Sequence, residues 1–143
     1  MSVKGINTKL NVLSELPKAP TTLGTRGKYH FKRLGTILIS NKILKSLHLP
    51  ALEIMAENWE QWEWSIKAMR KKNRNNPGTG YIQTFTTGAK NLSVELTVKR
   101  DAEKAIMQCI KQFGLDPKSE KDLNADTGQL GIEFPGFGKK KTN

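Results

Sequence analysis

Residues 47–72, LHLPALEIMAENWEQWEWSIKAMRKK, decide the fold. Leu52, Met55, Trp59, Trp62, Ile66 and Met69 recur at alternating intervals of three and four. That is the apolar stripe of one helix face. Ser46 is the expected N-cap, and Pro50 falls near the first turn, where proline is tolerated. Glu53, Glu57, Glu60 and Glu63 fill the first half, whereas Lys67, Arg70, Lys71 and Lys72 fill the last turns. This order complements the helix dipole. Trp64 falls out of phase with the stripe, on the outer half of the helix. There it either meets another chain or packs against a neighbouring element of its own.

Downstream, NRNNPGTG at 73–80 breaks the helix. Tyr81 to Phe85 alternates β-formers, Thr87-Gly88 supplies a turn, and Ala89 to Leu92 returns as a second strand. A β-hairpin is expected. Ser93 caps the next helix, whose apolar face carries Val98, Ala102, Ala105, Ile106, Cys109, Ile110 and Phe113. Gly114 ends it and Pro117 follows. Upstream, Phe31, Leu34 and Leu38 predict a short helix over 28–41 that stops at Asn41. Residues 1–27, with Pro17, Pro20 and three glycines, read as a flexible basic arm. Residues 124–143 read as a flexible tail. The expected fold is mainly α: a helical hairpin core, a short N-terminal helix, and a β-hairpin between the two long helices. The expected divisions are 1–27, 28–123 and 124–143.

The chain has 143 residues and a formal net charge of +11. One domain with tails fits that length, and the charge points to a polyanion, most simply nucleic acid. The single cysteine excludes an intramolecular disulfide or a cysteine-based zinc site, and the two histidines lie far apart. No metal or cofactor is expected. No apolar run approaches the ~18 residues of a membrane span. No secretory signal is visible at the N-terminus, so a cytoplasmic protein is expected. Pro77-Gly78-Thr79-Gly80 lacks the Lys-Ser/Thr of a phosphate-binding loop. His30, beside basic residues, reads as a nucleic-acid or solvent contact, and His48 as a solvent-facing residue at a helix start. Cys109 reads as a buried, inert thiol. No catalytic constellation emerges.

The cations are clustered. Residues 1–36 hold seven against Glu15 alone, and residues 71–100 hold six against Glu95. Lys28, Lys32 and Arg33, with Lys71, Lys72 and Arg74, are therefore the candidate phosphate contacts.

Residues 28–123 resemble a known family. The resemblance rests on Leu52-x-x-Met55-Ala56 leading into the Trp-rich helix, an Asn/Gly break, Gly80-Tyr81 before the hairpin, and Thr87-Gly88. It rests most on the closing FGLDPKSEKDL of residues 113–123. These features are similar to the small terminase subunits of tailed bacteriophages and prophages. The resemblance implies a non-catalytic DNA-packaging factor in the bacterial host cytoplasm. It implies homo-oligomeric rings, recognition of double-stranded viral DNA where packaging starts, and regulation of the large subunit that carries the ATPase and nuclease. A basic oligomeric DNA-binding regulator and a structural adaptor are the alternatives.

Two wide apolar helix faces exceed what one helical hairpin buries, which agrees with assembly. Trp59 and Trp62 are expected in the subunit core, with Trp64, Tyr81 and Phe85 as candidate interface residues. In the tail, Ile132, Phe134 and Phe137 form an apolar string followed by Lys139–Lys141. It reads as a docking peptide for the large subunit.

Overall fold

The computed structural model describes residues 6–7 and 11–115. Three helices dominate: α1 (Thr25–Ser40), α2 (Leu49–Asn75) and α3 (Val94–Gln112). Two small antiparallel sheets accompany them, β1 (Ile6–Asn7) with β2 (Val12–Leu13), and β3 (Ile82–Thr84) with β4 (Lys90–Leu92). The mainly α architecture and the β-hairpin between the long helices agree with the sequence.

Helices α2 and α3 form the antiparallel core hairpin. Cys109 reaches the Ala51 carbonyl, Trp62 Nε1 donates to Glu103 at 3.0 Å, and Lys72 pairs with Glu95 at 2.6 Å. These contacts follow the two helices from one end to the other. Leu52, Met55 and Ala56 meet Ile106, Cys109 and Phe113 in the buried core. α1 lays Phe31 and Leu38 onto the same core.

The helix ends follow local chemistry. Ser93 Oγ accepts the Leu96 N–H and donates to the Gly80 carbonyl, so one hydroxyl caps α3 and ties down the hairpin base. Gly114, at φ 68°, closes α3. Its N–H bonds Lys111 O, and the Leu115 N–H bonds Ile110 O, the pairing of a Schellman motif. Asn41 ends α1 by donating from its side chain to the Ile37 carbonyl.

Three expectations are corrected. Ser46 does not cap α2; residues Ser46–His48 form a 3-10 turn and His48 stands at the cap position. His48 Nδ1 accepts the Lys45 N–H, and burial holds its pKa down. α1 begins at Thr25 rather than 28. Finally, much of the segment expected as an arm is packed. Leu13, Ala19 and Leu23 are buried and Leu16 leans on the core. The Leu13 N–H bonds Leu44 O, and Thr22 donates to Glu53. The prolines break any period there, but they suit an extended strap that lays apolar side chains over two helices.

Candidate nucleic-acid interface

Helix α1 docks on α2 through charge. Arg26 grips Glu63 with two hydrogen bonds of 2.9 Å, and His30 Nε2 donates to the same carboxylate at 2.8 Å. The Gly27 N–H donates to Glu60. His30 is 3% exposed and lies 5.7 Å from the parallel ring of Trp59. Arg33 stands over the other part of this cluster, 5.1 Å from the Trp59 ring centroid, and donates to His30 Nδ1 at 3.1 Å. With Nδ1 accepting and Nε2 donating, His30 is neutral. Burial lowers its pKa. The Arg26 guanidinium holds the Glu63 carboxyl down at about 2.

The same contacts sort the charge on α2. Glu53, Glu60 and Glu63 turn toward the strap and α1. Lys67, Arg70, Lys71 and Arg74 face solvent, and none has an ion-pair partner among the described residues. At 1.5 Å per residue, Lys71 lies about 12 Å and Arg74 about 16 Å along α2 beyond Glu63. The basic face therefore begins where the α1 contact stops.

The expected phosphate contacts separate into groups. Lys28 and Lys32 are exposed one turn apart on α1. Lys71 and Arg74 are exposed on distal α2, away from the α1 pair. Arg33 is half-buried against Trp59 and His30, and Lys72 neutralises Glu95. His30, read as a solvent or nucleic-acid contact, is instead buried inside the α1–α2 joint. Lys67 and Arg70 join the outward surface; reading them only as partners of the helix dipole concealed their exposure.

The aromatic candidates are exposed: Trp64 by 53%, Tyr81 by 52% and Phe85 by 47%. Ile132, Phe134 and Phe137 lie outside the described residues. Cys109 is buried and its thiol pKa is raised by burial, as expected for an inert core cysteine. Among the described residues, no group of three or more His, Cys, Asp or Glu is placed to hold a metal. None of their helices is long and apolar enough to cross a membrane.

A family model described as "Phage terminase, small subunit" matches residues 27–129. That span takes in α1 from its third residue, all of α2 and α3, and the β-hairpin. The chain belongs to the phage terminase small-subunit family. No curated protein and no solved structure matches it. In this small terminase subunit, the matched region includes the outward basic face of α2 and the α1–α2 joint except for Arg26. The whole strap over residues 11–24 precedes it.

Proposed function

We propose that this small terminase subunit recognises double-stranded viral DNA at the start of packaging, as a homo-oligomeric ring in the bacterial host cytoplasm. It acts without catalysis of its own and regulates the ATPase and nuclease of the large subunit. The observation that carries DNA binding is the sorted charge of α2, with its bound acids inward and Lys67, Arg70, Lys71 and Arg74 outward. Lys28 and Lys32 supply a second phosphate contact on α1. Arg33 and Lys72 serve the fold first, because each already has an internal partner.

Binding to duplex DNA across a salt series tests this. Replacing Lys67, Lys71 and Arg74 with glutamine should weaken binding to all duplexes alike. The log–log salt slope should flatten by about 0.9 for each phosphate that is no longer neutralised. An unchanged slope removes distal α2 from the DNA path.

Exposed Trp64, Tyr81 and Phe85 support assembly, since apolar rings left in water are characteristic of contact surfaces. The tail string Ile132, Phe134 and Phe137 is assigned to docking on the large subunit, with Lys139–Lys141 steering the encounter. Deleting residues 128–143 should leave ring mass and DNA affinity intact while abolishing capture of the large subunit. Loss of the ring would instead assign the tail to assembly, and full retention of capture would end the docking assignment.

A further inference from the structure

Helix α1 carries an aromatic ring that the core leaves in water. Tyr29 is 49% exposed. A helix brings residues three and four positions away to the side of a given side chain, and for Tyr29 these are Thr25, Arg26, Lys32 and Arg33. Three of the four are cations, and Lys28 directly precedes the ring. The ring is also held in place. The Arg26 guanidinium stands over it, 4.2 Å from the centroid, and Arg26 is itself fixed by its two hydrogen bonds to Glu63. The His30 ring meets Tyr29 at 76°, with centroids 5.1 Å apart. Glu63, behind Arg26, is already taken up by Arg26 and His30.

Cations alone suffice to hold phosphates. A ring set among them adds a flat apolar surface. A single DNA strand offers both a phosphate and an open base face at every nucleotide, whereas a duplex keeps its base faces stacked inside. A further copy of this chain offers little to the same surface. Among the described acids only Glu15, Glu57 and Asp101 have neither an ion pair nor a side-chain hydrogen bond, and they are divided among the strap, α2 and α3.

We propose that Tyr29 stacks on an unpaired DNA base while Lys28 and Lys32 contact the phosphates beside it. The inference rests on the proposed DNA contact of α1 and adds a base contact to it. Every base has a π face, so the stack tells unpaired from paired DNA without reading sequence. Arg26 and His30 fix the ring before DNA arrives, which leaves little side-chain order to impose on binding.

Titrations of the full chain with oligothymidylate, and with its duplex with oligoadenylate, across a salt series test this. Tyr29→Leu keeps an apolar side chain against Arg26 and removes the π face; Tyr29→Phe keeps the face. Leucine is a strong helix former, and circular dichroism checks that both variants fold. Tyr29→Leu should weaken single-strand binding about 5- to 150-fold, the range for losing one base–aromatic stack, with the salt slope unchanged. Its duplex affinity, set by phosphates, should change by less than about twofold. Tyr29→Phe should bind both DNAs as the unmodified chain does. Lys32→Gln should give the opposite signature, a single-strand slope flatter by about 0.7. Single-strand affinity kept in Tyr29→Leu, lost equally in Tyr29→Phe, or lost together with duplex affinity would overturn the stack. So would an unmodified chain that binds duplex alone. Failure of the unmodified chain to bind either DNA would instead end the DNA reading itself.

Discussion

Trp59→Ala is expected to cost about 3–5 kcal/mol, the range for truncating a packed tryptophan. Trp59 stacks on His30, meets Trp62 edge to face at 5.3 Å, and lies beneath the Arg33 guanidinium. Its removal strips three side chains of a shared wall. Urea unfolding should give a lower midpoint with the slope retained, the mark of reduced stability rather than a changed denatured state. Trp64→Ala is the control. Its ring is 53% exposed, so monomer stability should stay within about 0.5 kcal/mol. Equal destabilisation by the two substitutions would refute this division of roles.

Glu63→Ala should cost about 1–3 kcal/mol, because the buried His30 Nε2–H is left without its acceptor, whereas Arg26, with its side chain 47% exposed, returns to water. His30 and Arg26 lose their common acceptor at once. The melting temperature should fall by roughly 3–10 °C for a domain of this size. The pH profile gives an independent signature. The folded His30 pKa lies below its ordinary 6.5, so the unfolded chain takes up that proton first. Stability is complete above about pH 6.5 and declines as pH falls. The Glu63 carboxyl lies at about 2 against an ordinary 4.5, so its contribution is complete above about 4.5 and is lost toward 2. Glu95 and Glu103, also lowered by Lys72 and Lys99, decline in the same direction. In Glu63→Ala the acid limb should become shallower, without vanishing. Because Trp59 and Glu63 share His30, the double variant should cost less than the two single effects combined.

The helices were readable because periodicity reports directly on burial. Leu52, Met55, Ala102, Ile106 and Cys109 all recur at helical intervals and all are buried. Ser93 and Gly114 marked their helix ends for reasons local to the backbone. The strap was not readable. Leu13, Leu16, Ala19 and Leu23 are visible as apolar positions, but Pro17 and Pro20 interrupt them, and extended chain has no period that survives such interruption. The polar joint was hidden differently. Arg26, His30 and Arg33 follow intervals of four and three on α1, while Glu60 and Glu63 share a face of α2. Each set alone resembles an ordinary solvated face. Only the antiparallel meeting of two helices turns them into partners, and nothing local to either segment encodes that meeting. The same limit separated Arg33 and Lys72 from the cations that face solvent.

The inward acids and outward bases of α2 place two different selective pressures on one helix. A change at Glu60 or Glu63 is felt by the fold before it is felt by any ligand. A change at Lys67, Arg70, Lys71 or Arg74 breaks no ion pair among the described residues, and surface exchanges of that kind usually shift stability by less than about 0.5 kcal/mol. The distal turns can therefore change in spacing and identity at little cost to the fold, whereas the joint with α1 cannot.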